Sequence, residues 1–114
     1  DLARAFNPPQ PDTLADALIR RAYLDWRGGS LADAEMRLKE AEALVDGADE
    51  HIDLWAKAVM DRAWVASMER NNDRAATLLQ PLVDVIRLRT DIDPRTRYRA
   101  FERLSSIHQK LSNQ

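Results

Sequence analysis

The chain lacks cysteine, has few glycines and contains no long apolar run. Its 114 residues include no Cys, three Gly and two His. Without cysteine, disulfides, thiolate nucleophiles and zinc–thiolate centres are excluded. His51 and His108 stand far apart, without the spacing of metal ligands. The lack of an apolar stretch of membrane-spanning length predicts no membrane insertion. We therefore expect no metal and no cofactor, and a cytoplasmic and a periplasmic location are equally compatible with the composition.

The chain also lacks a large excess of charge of either sign. Seventeen Lys and Arg oppose nineteen Asp and Glu, which gives a net charge of −2 and no long-range field to gather nucleic acid or anionic membrane. Gly28 and Gly29 lack the strand and the Lys of a phosphate-binding loop. Ser105 and His108 lie three residues apart on a predicted helix, with no oxyanion hole or orienting acid. We expect no enzymatic activity, and we expect His108 to have a packing role.

What the chain does have is helix-forming sequence, with 45% apolar and 32% charged residues, so an all-α fold is predicted. The prolines among residues 1–12 predict an extended arm or linker. Thr13 and Ser30 are predicted N-caps, and Asp93 before Pro94 is a third. Capping and apolar periodicity predict five helices, over approximately residues 14–26, 31–45, 49–69, 74–89 and 94–111. Short turns between them indicate antiparallel neighbours.

Two of these helices have distinctive patterns. The apolar residues of the third helix cover more than one stripe, so it is predicted to be contacted on more than one side. Pro81 lies inside the fourth helix, where a proline costs about 3 kcal/mol in an undisturbed helix. We expect a kink at Pro81.

The chain repeats itself with a period of 41 residues. This shift aligns similar apolar residues, namely Leu18 with Val59, Ala22 with Ala63, Ala34 with Ala75, Leu38 with Leu79, and Ala41 with Leu82. Small residues recur where helices approach closely, and larger ones recur where an interior is filled. A fixed period of this size indicates stacked helical hairpins.

The spacing of these residues resembles the tetratricopeptide repeat (TPR) family. The matching positions are Ala22, Gly29, Leu31, Ala34, Leu38 and Ala41, then Ala63, Arg70, Asn72, Ala75, Leu79 and Leu82, and a half copy with Phe101, Leu104, Ser105, His108, Ser112 and Asn113. The resemblance covers residues 13–114 and implies a right-handed α-solenoid, with repeats over 13–46 and 49–89 and a half repeat or capping helix over 94–111.

The chain also departs from the family pattern. Asp25 and Ala66 replace the usual aromatic, and the period exceeds the standard 34. The longer period and the stretch AATLLQPLV resemble extended repeats of bacterial signalling proteins, such as maltose-regulator-type transcriptional activators and the sensory regions of some diguanylate cyclases.

In the TPR family, the first helices of successive repeats line a concave groove that holds a peptide or a partner helix. The resemblance implies that the apolar part of this groove comprises Ile19, Tyr23, Trp26, Met60, Trp64 and Met68, and that its polar end comprises Arg99, Glu102, Arg103 and Lys110. Apolar side chains stand where a carboxylate clamp needs Lys, Arg and Asn. The implied partner is therefore apolar on its contacting side, and the implied function is a protein-binding scaffold or sensory module of a larger bacterial regulator.

Three alternatives remain open from the sequence. The apolar stripes could be buried against the arm, a neighbouring repeat or a dimer mate. Arg95, Arg99 and Arg103 form an i, i+4, i+8 stripe that could meet nucleic acid or another anion, although interleaved acidic residues make a solvated face the simpler interpretation. The exposed end of the stack could pair with a second copy, as a dimerisation module.

The two ends of the sequence suggest a domain fragment. No initiator Met precedes Asp1, as expected of a processed chain or an excised domain. The closing LSNQ aligns with the turns inside the two earlier hairpins, so we expect the chain to stop within a third repeat. The polar face of the last helix favours a cap that ends the stack.

Overall fold

The computed structural model describes residues 10–46 and 49–113, and every regular element in these ranges is helical. Five α-helices follow one another as α1 (Pro11–Arg27), α2 (Leu31–Val45), α3 (Ile52–Met68), α4 (Asn72–Leu88) and α5 (Pro94–Ser112), and a 3₁₀ turn over Asp49–His51 leads into α3. Each helix packs against the next, and α3 also contacts α1 and α5. The all-α stack of helical hairpins predicted from the sequence is confirmed. Among the five helices of the described ranges, none combines the length and the hydropathy of a membrane span.

The helix starts agree only partly with the predicted caps. Asp93 caps α5 as predicted, because its side chain accepts a hydrogen bond from the backbone amide of Arg95. Ser30 occupies the N-cap position of α2 as predicted, but its side chain makes no capping bond. Asn71, which was not predicted as a cap, caps α4 by accepting from the amide of Arg74.

The predicted cap at Thr13 is wrong, since α1 begins at Pro11 and Gln10 occupies its N-cap without a side-chain bond. A proline needs no amide partner in a first turn, so Pro11 can start the helix three residues earlier than expected. The predicted arm over residues 1–12 otherwise falls outside the described residues.

Pro81 sits on the exposed side of α4, and the helix continues through it from Asn72 to Leu88. The proline removes the amide that would bond the carbonyl of Thr77. Solvent can reach that side of the helix, so the unpaired carbonyl is not trapped in the core. The predicted kink stays a prediction.

The turns within the two hairpins share one hydrogen-bond pattern. The Ser30 amide donates to the carbonyl oxygen of Asp25 over 2.8 Å, and the Asn71 amide donates to that of Ala66 over 2.9 Å. Each turn has one residue with a left-handed backbone, Gly29 with φ 89° and Arg70 with φ 63°. This arrangement is a Schellman-type helix end. Since each pair of equivalent residues is 41 apart, the sequence period is also a period of backbone structure.

The interior consists of two apolar clusters that meet at α3. Ala58 and Val65 of α3 belong to the cluster formed by α1 and α2. Val59 and Ala63, on another side of the same helix, belong to the cluster shared with α4 and α5. Trp55 packs against both clusters. The prediction that the third helix is contacted on more than one side is confirmed, and α3 joins the two hairpins.

An ion-pair network also crosses between the hairpins. Arg62 of α3 donates to Glu42 of α2 over 2.7 Å and to Glu35 of α2 over 3.2 Å, while Arg74 of α4 pairs with Glu35 as well. Burial alone would lower the pKa of the Arg62 guanidinium, but hydrogen bonds and attraction from the two carboxylates raise the pKa above its ordinary value. The network therefore holds α2, α3 and α4 in one arrangement.

Within the described residues, the last helix packs on one side. Ala100 and Ile107 of α5 are buried in the second cluster. Counted from the helix starts at Ile52 and Pro94, they match Ala58 and Val65 of α3, which also face the preceding hairpin. The α5 positions that match the α4-facing side of α3 include Ser105 and His108, and both are exposed. The packing role predicted for His108 is therefore wrong, because no following helix covers that side in the described residues.

Candidate recognition surface

Helices α1, α3 and α5 lie side by side, and their shared surface contains three neighbouring depressions. Arg103 of α5 lines all three, and Trp64 of α3 lines two of them. We call this surface the groove face and define it by twelve residues. These are Tyr23, Leu24 and Trp26 of α1, Lys57, Asp61, Trp64 and Ser67 of α3, and Arg99, Glu102, Arg103, Ser106 and Lys110 of α5.

The six apolar residues predicted for the groove divide into a buried and an exposed set. Ile19 and Met60 are core residues, 1% and 5% exposed, so they support the surface from beneath. Trp26 is half-buried. Tyr23, Trp64 and Met68 are 45%, 44% and 43% exposed. Met68 lies at the end of α3 and lines none of the three depressions, which leaves Tyr23 and Trp64 as the exposed aromatic rings of the groove face.

Both exposed rings are held by neighbouring side chains. Tyr23 makes an edge-on contact with Trp26, with ring centroids 5.2 Å apart. The guanidinium of Arg27 lies 5.5 Å from the centre of the Tyr23 ring and donates to its hydroxyl. On Trp64, the guanidinium of Arg103 lies 5.2 Å from the ring centre. Rings held in this way lose little side-chain freedom when a partner covers them.

The predicted polar end contributes to the groove face in full. Arg99, Glu102 and Arg103 line one depression together with Trp64, and Lys110 lines the next. The Lys110 ammonium donates to the Ser67 hydroxyl over 3.2 Å, which ties α5 to α3. The charges are not confined to one end, however. Lys57 and Asp61 share a depression with Tyr23 and Trp26, so charged and aromatic groups alternate along the whole face.

Asp61 is the feature of this surface that the sequence prediction missed. It is partly covered, and burial raises the pKa of its carboxyl from 3.8 to about 6, against the opposing attraction of Arg103 and Lys57. Its equivalent 41 residues earlier is Arg20, which is exposed and paired with Asp16 over 3.0 Å. The signal in the sequence was an acidic residue on a helix whose apolar side chains spread over several faces.

None of the four cations of the groove face pairs with a carboxylate of the described residues, whereas six of the twelve described cations elsewhere do. Six arginines of the described residues pair with carboxylates, and five of them lie outside the depressions; the six are Arg20, Arg21, Arg37, Arg62, Arg74 and Arg89. In the described part of the chain, Lys57, Arg99, Arg103 and Lys110 have no carboxylate within 4.0 Å. Arg103 stacks on an aromatic ring instead. The surface thus presents cationic groups beside its rings.

The arginine stripe considered for nucleic acid does not form a separate surface. Arg95 and Arg99 are exposed, but Arg103 is half-buried and stacks on Trp64. The third member of the stripe therefore belongs to the groove face. Among the described residues, no group of three or more His, Asp or Glu side chains is placed to hold a metal ion.

Comparison with known proteins returned no relative. No family model matches the chain, and neither a curated protein nor a solved structure matches it. The resemblance to the TPR family is therefore carried by residues of this chain alone.

Proposed function

We propose that this chain is a protein-recognition module that holds a peptide or a helix of a partner along the groove face. The observation that carries the proposal is the pair of large aromatic rings, Tyr23 and Trp64, nearly half exposed and each held by a neighbour. Exposed aromatic rings beside depressions are typical anchor positions of protein interfaces. The module remains one of TPR-like type in this proposal, within a larger bacterial regulator such as a diguanylate cyclase or a transcriptional regulator.

The shape of the surface supports an elongated occupant. The depression beside Tyr23 has a volume of about 530 Å³ and is open to solvent, and the depressions beside Trp64 continue from it through the shared Arg103. A row of open depressions across three helices suits a chain segment better than a compact small molecule. Burying both rings would remove apolar surface from water at two separated points, which fixes the axis along which a bound segment lies.

Selection of binding peptides from a displayed library of random 15-residue sequences tests this function. Peptides selected on the wild-type chain should lose about 30-fold in affinity for Trp64→Ala, the equivalent of about 2 kcal/mol for an aromatic anchor. Leu88→Ala is the matched control, because Leu88 is 88% exposed and lies outside the groove face. Its affinity should be unchanged.

Two results would contradict the function. Selected peptides could bind Trp64→Ala and Tyr23→Ala as tightly as the wild-type chain, which would place their site elsewhere. Alternatively, each substitution could unfold the chain while the affinity per folded molecule stays intact, which would make the rings structural. Sedimentation of the unbound chain over a wide concentration range tests the self-association alternative, which predicts a mass that rises with concentration.

A further inference from the structure

The groove face has the opposite charge to the chain as a whole. Its twelve residues include the four cations Lys57, Arg99, Arg103 and Lys110 and the two carboxylates Asp61 and Glu102, a net charge of +2 with Asp61 ionised. A fifth cation, Arg20, lies at the rim of the depression beside Tyr23. The complete chain carries −2. Positive charge thus lies on the surface that exposes the held rings of Tyr23 and Trp64. A surface with this distribution attracts a segment that carries negative groups.

Most of these cations lack a carboxylate partner within the described part of the chain. Arg20 pairs with Asp16 at the rim. Lys57, Arg99, Arg103 and Lys110 have no such pair, whereas the half-buried Arg62, which faces α2, has two. An acidic side chain of a bound segment could therefore reach these cations without breaking an existing ion pair. Such pairs would form beside the rings, where water is partly excluded and attraction is stronger than in bulk solvent.

Asp61 is the carboxylate of this surface with the most enclosed position. From its own helix it faces Lys57, from α5 it faces Arg103, and from α1 the side chains of Arg20 and Tyr23 line the same depression. No side chain of α2 or α4 lines that depression. The described residues place no hydrogen-bond donor within bonding distance of its carboxylate. Its charge is therefore balanced only by attraction from Lys57 and Arg103, the groups that an incoming acid would also use.

We propose that the groove face selects acidic, partly apolar protein segments, and that Asp61 competes with their carboxylates for Lys57 and Arg103, so that binding tightens when Asp61 is neutral. The inference rests on the proposed recognition function and deepens it by naming the chemistry of the partner. The pKa of about 6 places the loss of the Asp61 charge just below neutral pH. Between pH 5.2 and pH 7.5 the acidic residues of a peptide stay largely ionised, because an ordinary Glu has a pKa near 4.3.

Three synthetic 15-residue peptides with identical leucine positions test the inference. Their remaining positions carry Glu and Ser, Gln and Ser, or Lys and Ser, and calorimetric titration gives the affinity of each for the wild-type chain. The Glu peptide should bind at least tenfold more tightly than the Gln peptide, and the Lys peptide should bind least. Affinity for the Glu peptide should fall roughly fivefold between pH 5.2 and pH 7.5, whereas affinity for the Gln peptide should not change.

Asp61→Asn isolates the role of the competing carboxylate. This variant should bind the Glu peptide at pH 7.5 as tightly as the wild-type chain does at pH 5.2, with no remaining pH dependence. Asp53→Asn is the matched control, because Asp53 is an exposed acid of the same helix, and it should behave as the wild type. An unchanged pH profile in Asp61→Asn would overturn the competition. A second variant, Asp61→Ser, gives the same readout if the amide disturbs folding.

The other outcomes separate this inference from the proposed function. If the Glu and Gln peptides bind equally well and both lose affinity for Trp64→Ala, the recognition function stands and the acidic preference is wrong. If no peptide binds, both are contradicted. A single-stranded oligonucleotide of fifteen thymidines serves as the nucleic-acid arm. If it binds as tightly as the Glu peptide, the surface is a general polyanion site, and selection of acidic protein segments is overturned.

Discussion

The two hairpins of the molecule have the same turn geometry but different residues at its most constrained position. The left-handed residue is Gly29 in the first hairpin and Arg70 in the second. A glycine adopts this conformation freely, whereas any residue with a Cβ is strained in it. The hydrogen bonds that close the two turns are nevertheless equivalent. Helix packing on both sides therefore determines the turn, and glycine only makes it easier.

The same contrast extends from the turns to the core. At one pair of equivalent, fully buried positions, the first hairpin has Ala41 and the second has Leu82. The first cluster contains many alanines, which lets α1 and α2 approach closely, while the second cluster must fill the space shared by α3, α4 and α5. Equivalent backbone positions thus surround different volumes. This difference is open to direct measurement.

Exchanging the residues at this core position should produce the largest effect on stability. Leu82→Ala should lower the free energy of unfolding by about 2–5 kcal/mol, because it leaves a cavity among three helices. Ala41→Leu should lower it by about 1–3 kcal/mol through overpacking. Denaturant titration followed by circular dichroism gives both values. If Ala41→Leu stabilises the chain, the first hairpin has spare volume, and the proposed difference between the clusters is wrong.

A second effect on stability should come from the equivalent positions 20 and 61. The first hairpin has there the exposed Arg20, which pairs with Asp16, and the second has the partly covered Asp61. Because the folded protein disfavours the ionised form of Asp61, stability should fall as pH rises from about 4 to about 6 and stay lower above that range. Asp61→Asn should therefore raise the free energy of unfolding at pH 7.5, by about 1–3 kcal/mol. This gain in stability should vanish near pH 4, because the carboxyl of Asp61 is then protonated in the folded protein and is as uncharged as the amide of the variant.

Denaturant titrations at pH 4, 5, 6 and 7.5 measure this dependence, with Asp53→Asn as the exposed control. Equal stability differences at pH 4 and pH 7.5 would show that the carboxyl of Asp61 is not responsible. This measurement is made without ligand, so it tests the burial of Asp61 independently of its proposed role in binding.

The turn residues should give the smallest effect. Arg70→Gly should stabilise the chain by about 1 kcal/mol by removing a left-handed residue with a Cβ. Gly29→Ala should destabilise it by a similar amount, and only through the backbone, because nothing lies within 4 Å of a Cβ added at Gly29. Thermal unfolding of both variants checks the pair. Opposite shifts are expected, and shifts of the same sign would mean that the two turns are not equivalent.

The features of the fold that could be predicted from the sequence are those that depend on local rules. Alanines such as Ala22 and Ala63 revealed the repeat, because a close approach of helices requires small residues at a fixed spacing. Asp93 before Pro94 revealed the start of α5 for a similarly local reason. By contrast, the start of α1 at Pro11 was missed, because a proline in a first turn and a proline in an arm look alike in sequence.

The candidate surface was less accessible to sequence reasoning. Tyr23 and Ile19 lie on one predicted stripe, yet one is exposed and the other buried, because a helical stripe is wider than the seam that a neighbouring helix covers. Asp61 was missed since its covering depends on α1 and α5, which lie far away in sequence. The placement of Arg103 over Trp64 likewise depends on how α5 docks against α3.

The indole resonances of the three tryptophans test the recognition function most directly. The nitrogen-labelled chain is titrated with a peptide selected from the displayed library, and the Nε1–H signals of Trp26, Trp55 and Trp64 are followed by NMR. Trp26 and Trp64 line the groove face, whereas Trp55 packs between the two core clusters. The signals of Trp64 and Trp26 should shift while that of Trp55 stays in place. A titration that saturates without moving the Trp64 signal would contradict the account.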